Sequence, residues 1–215
     1  CVSSGVMESA KEAFALGRIH PKSLRVITNP CPVESIQSLA QENDPDIPDK
    51  RYIVNVARLV PQKGHALLME AFARADIPHQ LVIVGEGPLR EELEQKARDL
   101  GITERVLFAG KRRNPYPWMR KADLFVLASE YEGLGIVLTE ALACGTPILS
   151  TDSRGGVRFV FQGALERYLT PPNPEGLAAG LERTIRELPI TIRPEWLAPF
   201  RSDVVVSAFL TAPEE

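Results

Sequence analysis

Cysteine, histidine and tryptophan are scarce in this chain, and neither sign of charge dominates it. Three cysteines (Cys1, Cys31 and Cys144) in 215 residues form an odd set, without the spacing of a zinc site or the density of a disulfide framework. The expected compartment is therefore reducing, and Cys144, at an apolar helix end, reads as a small buried hydrophobe. The three histidines (His20, His65 and His79) read as structural or solvated. No Asp-x-Asp cluster points to a metal, since Asp44-Pro-Asp46 falls in the polar, proline-rich run 41–50, which has a loop's composition. The 25 basic and 28 acidic residues leave a net charge of −3, whereas a dedicated nucleic-acid binder normally shows a basic excess. No run approaches the roughly 18 apolar residues that would cross a bilayer. The chain is 44% hydrophobic and long enough for a real core. Its expected location is cytoplasmic, with room for peripheral contact at the cytoplasmic membrane face.

What is present is an alternation of apolar strands and amphipathic helices. Strand Tyr52–Ala57 precedes a helix near His65–Ala75, where Leu67, Leu68, Ala71, Phe72 and Ala75 recur at helical spacing. Strand Gln80–Val84 leads through Gly85 and Gly87 into a charged helix, Leu89–Leu100, ended by Gly101. Strand Val106–Ala109 precedes a short helix around Trp118–Lys121. Strands Leu124–Leu127 and Pro147–Ser150 bracket a further helix. A last βα unit is expected over Arg167–Leu169 and Pro174–Leu188, with a closing helix near Val204–Leu210. Such a series predicts an α/β fold: a Rossmann-like parallel sheet with helices on both faces and its ligand beyond the carboxyl ends of the strands. Arg58, Lys63, Gly85, Ser129 and Glu132 all fall at such ends. A dinucleotide fingerprint beginning at Gly85 would need glycine at 90, where Arg90 stands.

The stretch Ser129–Pro147 carries the chemistry. A strand, a glycine turn and a helix N-terminus make an anion site, because first-turn N–H groups lack intrahelical acceptors and the dipole favours negative charge. Glu132 stands at the mouth of the turn and Glu140 on the helix. Eight helical residues span about 12 Å, whereas a glycosidase's carboxylates stand roughly 5–9.5 Å apart. The pair suits two ends of one long ligand with phosphates between.

Glu132-Gly-Leu-Gly-Ile-Val-Leu-Thr-Glu140 resembles the Glu-x7-Glu motif of retaining, GT-B-fold glycosyltransferases of the group 1 type. Tyr52-Ile-Val-Asn-Val-Ala-Arg58-Leu-Val-Pro-Gln-Lys63-Gly64 resembles the family's Gly-Arg-Leu…Lys-Gly loop, with Ala57 in place of a frequent glycine. Leu81-Val-Ile-Val-Gly85-Glu-Gly87-Pro88 resembles its Val-Gly-x-Gly turn, and Val106-Leu-Phe-Ala-Gly110 a later strand. The likeness runs from about Arg25 to Gly163. It implies transfer of a sugar from a UDP- or GDP-sugar to a glycan or glycolipid acceptor with retention, as in polysaccharide biosynthesis, and no cofactor. Glu132 would be the catalytic residue, hydrogen-bonding the donor sugar, and Glu140 would hold the ribose. The amides of Leu134, Gly135 and Ile136, helped by Arg58 and Lys63, would hold the diphosphate, and Gly85 would approach the nucleoside.

The resemblance also implies an organisation. Residues 1–24 would be the remnant of an acceptor domain, 25–50 a linker, 51–190 the donor-binding domain and 191–215 a helical segment. Because the start falls in a strand-like element, the chain reads as the rear half of a two-domain enzyme. A split enzyme with a separate acceptor subunit is the alternative. Thr151–Phe159 keeps the family's glycines but lacks its proline and glutamate, which leaves Asp152 as a substitute. The basic run Lys111–Lys121 could touch a base, an anionic acceptor or a headgroup, or be solvated, and its Tyr116 and Trp118 read as packing anchors. A nucleotide-sugar epimerase or hydrolase, or a non-catalytic nucleotide-sugar-binding module, would share the same site.

Overall fold

A computed structural model describes residues 1–18 and 24–211, so His20 lies outside the described residues. In chain order the strands are β1 (Tyr52–Val56), β2 (Gln80–Val84), β3 (Val106–Gly110), β4 (Leu124–Leu127), β5 (Tyr131–Glu132), β6 (Ile148–Thr151), β7 (Arg154–Gly155) and β8 (Leu169–Thr170). The α-helices are α1 (Ser4–Ala15), α2 (Val33–Leu39), α3 (His65–Arg74), α4 (Arg90–Asp99), α5 (Tyr116–Arg120), α6 (Ile136–Ala143), α7 (Val157–Val160), α8 (Pro174–Arg186) and α9 (Ser202–Leu210). Six strands pair in the order β3-β2-β1-β4-β6-β8, every ladder parallel, and β5 pairs with β7 as a separate ribbon.

The strands are apolar on both sides because a parallel sheet is covered on both faces. Ile53, Val54, Leu81, Val82, Leu124 and Phe125 are completely buried. Helix α3 packs against α4 and α8, while α2, α5 and α6 pack among themselves. Leu68, Phe72 and Leu181 seal the first group, and Ile36, Trp118, Met119 and Leu138 the second. The one polar residue inside β1, Asn55, is buried, and its amide donates to the Val126 carbonyl at 2.8 Å. That bond stitches β1 to β4 where the strand order reverses.

The structure corrects several expectations. The opening residues are helical, not strand-like: Ser3 caps α1, its Oγ accepting the Val6 N–H at 3.2 Å in the usual manner of an N-cap serine. Of the strand expected over Arg167–Leu169, only Leu169 pairs with the sheet, together with Thr170, while Arg167 and Tyr168 end a 3-10 helix, Gly163–Tyr168. The reason is spacing, since i and i+3 eclipse in a 3-10 helix and the buried pair Leu165 and Tyr168 stands at that interval. The short helix begins at Tyr116, with proline in its first turn, where a missing N–H costs nothing. The helix after the glycine turn starts only at Ile136, which leaves Glu132 in the β5 ribbon.

His65 opens α3, is buried, and neither of its ring nitrogens makes a hydrogen bond. Burial, with the Lys63 charge nearby, pushes its pKa down to about 4. The folded state therefore holds a neutral imidazole, while the unfolded chain takes up a proton below its ordinary pKa of 6.5. Stability from this group is present above pH 6.5 and falls as the pH drops toward 4, by up to about 3 kcal/mol. Urea unfolding across that window should show His65→Leu with a shallower acid limb than the wild type.

Candidate functional site

The order of the six strands places a crevice between the carboxyl ends of β1 and β4, the switch point at which open α/β sheets bind ligands. A cleft of about 540 Å³ opens there. It is lined by Arg58 and Lys63 from the β1 side and by Glu132, Leu134, Gly135, Ile136 and Glu140 from the β4 side. Seven of the eight residues singled out in the sequence thus share one wall-to-wall space. The eighth, Gly85, lines an adjoining cleft of about 560 Å³, which shares Val56, Ala57 and Arg58 with the first.

Glu132 is held from two sides. The Lys63 ammonium lies 2.6 Å from its Oε1, and the Ser129 hydroxyl donates to the same oxygen at 2.7 Å. Both members of the ion pair are largely buried, with side chains 19% and 11% exposed. Lys63 reaches this position from a 3-10 turn, Pro61–Lys63, that closes on Gly64. The cation expected near the diphosphate thus stands on the carboxylate expected near the sugar.

The turn after Glu132 explains its glycine. Gly135 caps α6 in the left-handed region (φ 79°, ψ 52°), and an added Cβ would meet Leu138 Cδ1 at 3.0 Å. Leu134 and Ile136 differ in their side chains: Leu134 is buried and anchors the turn, while Ile136 is 41% exposed. What the three residues can offer an anion in common is backbone N–H at a helix start. Gly85 has a packing reason of its own, since a Cβ there would lie 1.9 Å from the Ala57 carbonyl oxygen. Its absence lets the ends of β1 and β2 close against each other.

Glu140 faces the cleft from the second turn of α6, and the Tyr116 hydroxyl donates to its Oε1 at 3.1 Å. Burial pushes the Glu140 pKa up, and the tyrosine bond works in the opposite direction. This tyrosine was read as a packing anchor, and no spacing in the sequence links it to α6. Val2 and Asn29 complete the cleft wall, and the fully buried Ser3 donates to the Gly133 carbonyl at 2.7 Å. Partners 130 residues apart leave no local pattern. Asp152, the candidate replacement for the missing glutamate, pairs with Arg158 and is not among the residues that line this cleft.

Part of the basic run is committed to the chain itself. Arg112 pairs with Asp46 at 2.6 Å and lies over the Trp118 ring at 4.8 Å. The Trp118 indole donates to Asp44 at 2.7 Å. Lys111 and Arg112 nevertheless border the cleft at Gly85. Among the described residues no group of His, Cys, Asp and Glu could hold a metal ion, and no helix is long and apolar enough to cross a membrane.

Breaking one side of a buried ion pair leaves an uncompensated charge. Lys63→Met should therefore destabilise the fold by about 3 kcal/mol. Adding Glu132→Gln should recover most of that loss, a coupling that a double-mutant cycle by chemical denaturation would measure.

Residues 38–189 match the family profile described as Glycosyl transferases group 1. The chain is 39% identical over 159 residues to the N-acetylgalactosamine-N,N'-diacetylbacillosaminyl-diphospho-undecaprenol 4-alpha-N-acetylgalactosaminyltransferase of Campylobacter jejuni, covering 74% of this chain and 42% of that protein. It is 31% identical over 166 residues to the lipopolysaccharide core biosynthesis glycosyltransferase LpsE of Rhizobium meliloti, covering 77% and 48%. The chain thus spans less than half the length of either relative. Among solved structures, the lipopolysaccharide outer core galactosyltransferase WaaB in its apo form superposes with a TM-score of 0.78 at 24% identity, over 99% of this chain and 60% of that one. Anabaena HepE in complex with UDP does so with 0.78 at 23%, over 96% and 62%. At such identities the likeness establishes a shared fold, that of GT-B glycosyltransferases. With its family profile matched over most of its length and a 39% identical relative matched over 74% of it, this chain belongs to the group 1 glycosyltransferases.

Proposed function

We propose that this chain is the donor-binding part of an enzyme that transfers a sugar from a nucleoside diphosphate sugar to a glycan or lipid-linked acceptor with retention at the anomeric carbon. The observation that carries the reading is the convergence of Arg58, Lys63, the α6 N-terminus, Glu132 and Glu140 on one cleft of nucleotide size. Small-ligand clefts commonly run from about 300 to 1,000 Å³. The charge pattern fits the ligand: cations and helix amides in the middle, a carboxylate at either end.

The chemistry follows from that pattern. Departure of the sugar leaves negative charge on the β-phosphate, and preorganised donors aimed at developing charge are the strongest lever an active site has. Arg58, Lys63 and the amides of Leu134, Gly135 and Ile136 take this part. Glu132, oriented by Lys63 and Ser129, holds the donor sugar by its hydroxyls. Glu140 accepts from the ribose hydroxyls, and the base lies toward Gly85. The departing phosphate itself can take the acceptor's proton, so no protein nucleophile is assigned. The lipid-linked and lipopolysaccharide products named for the relatives support an acceptor of that class. The chain spans less than half of either relative, which supports an acceptor-binding portion outside it, and the undecaprenol-linked substrate named for one of them supports work at a membrane face.

A thermal-shift panel of UDP, GDP and their sugars tests donor binding first, because a ligand that binds only the native state must raise its stability. Arg58→Ala should weaken binding of the nucleoside diphosphate found there by about 10-fold, from a charge-assisted contact of roughly 1.5 kcal/mol or more. Unchanged affinity would remove Arg58 from the site. Glu132→Ala should lower donor turnover by at least about 100-fold with little loss of nucleotide affinity. Nuclear magnetic resonance of the glycoside formed should show the donor's anomeric configuration. Free sugar or an epimer without glycoside would favour a hydrolase or epimerase instead.

A further inference from the structure

We infer that Tyr116 is a positioning residue for the nucleotide: its hydroxyl fixes Glu140 as the acceptor of the ribose hydroxyls and so sets discrimination between ribo- and 2′-deoxyribonucleotides. The inference rests on the reading of Glu140 as the ribose-holding residue. Tyr116 Oη donates to Glu140 Oε1 at 3.1 Å, which is the one hydrogen bond to that carboxylate among the described residues. Oε2 remains for a ligand in the cleft that Glu140 lines.

The phenol is aimed by a fastened segment. The Tyr116 N–H donates to Asn114 Oδ1 at 3.2 Å, and Asn114 Nδ2 donates to the Leu39 carbonyl at 2.8 Å and to Glu42 at 2.9 Å. One residue beyond the adjoining Pro117, the completely buried Trp118 is bonded to Asp44. The backbone at Tyr116 is thereby tied to α2 and the loop behind it, and its hydroxyl meets α6 at Glu140. A carboxylate held at one oxygen presents its remaining lone pairs at a fixed angle to the hydroxyls of a ribose.

The surroundings of Glu140 make this contact count. The titratable groups that face it are Tyr116 from α5, Cys31 from the segment before α2, and Cys144 one turn further along α6. The Cys31 thiol donates to the Thr139 carbonyl at 3.7 Å, and burial raises it to about 11. Cys144 and Tyr116 are each raised to about 12, chiefly by burial. All three are neutral at pH 7. The hydroxyl of Tyr116 is then the group that opposes the effect of burial on the Glu140 carboxyl. Without it, Glu140 takes up a proton at higher pH and loses its strength as an acceptor.

Calorimetric titration of wild type and Tyr116→Phe with UDP, GDP and their 2′-deoxy forms, from pH 5 to 8, tests the assignment. Wild type should bind its ribonucleotide about 10-fold or more tightly than the deoxy form. Affinity for the ribonucleotide should fall as the pH drops through the Glu140 pKa. In Tyr116→Phe the ratio should shrink several-fold at pH 7, and the acid limb should move to higher pH. Incorporating 3-fluorotyrosine at 116 keeps the ring and its hydroxyl but makes the phenol a stronger donor, so the limb should move to lower pH. A wild type that does not discriminate overturns the ribose role of Glu140. Discrimination in wild type, with an acid limb that neither variant moves, overturns the role of Tyr116 and leaves that of Glu140 standing.

Discussion

Parallel pairing between β1 and β4 is the contact on which the rest of this structure depends. From β1 the chain winds outward to β2 and β3, and from β4 it winds the other way to β6 and β8. The segments leaving the two central strands therefore turn apart, and the space between them is a crevice that no side chain of the sheet fills. Asn55 holds the two strands together at that point through the Val126 carbonyl. One wall then carries Arg58 and Lys63, and the other the stretch from Ser129 to Glu140. Neither wall has the chemistry alone: the first has cations without carboxylates, the second carboxylates without cations.

Electrostatics across the crevice links the fold to its proposed use. Lys63 and Glu132 satisfy each other, with Ser129 as a third member. A buried charge without such a partner would cost several kcal/mol, so the site is stable as it stands and its carboxylate is already oriented. A diphosphate reaching the α6 N-terminus would add a second anion beside Lys63 without demanding a new fold. Preorganisation of this kind is what makes fixed charges effective against developing charge.

The segment before β1 belongs to the same design. Val2 and Asn29 stand in the cleft wall, and Ser3 fixes the carbonyl of the turn between Glu132 and the α6 amides. The stretch behind α2 plays the matching part at the other end, tying down Arg112, Asn114 and Trp118, and through them Tyr116. Residues read as an acceptor-domain remnant (Val2 and Ser3) and as linker or loop (Asn29, Glu42, Asp44 and Asp46) thus border the two ends of the candidate site. Several of them do so through single hydrogen bonds to main-chain or carboxylate oxygens.

The sequence by itself determined the alternation of strands and helices, the parallel sheet and the residues of the cleft. Those features are written locally, as apolar runs such as Leu124–Leu127, helical spacing such as Leu68–Phe72, and glycines at strand ends. Gly135 was legible as part of a glycine turn between an apolar strand and a helix, and Glu132 and Glu140 because they stand on either side of it. Local reading failed where burial across the fold decided the outcome. The run 163–168 became a 3-10 helix to bury Leu165 and Tyr168 together, and the opening residues became a capped helix. Only the tertiary structure brought Lys63 to Glu132, Tyr116 to Glu140 and Ser3 to Gly133. These are contacts between side chains far apart in the chain, and such contacts leave no periodicity to read, because they exist only once the sheet has set the distance between its walls.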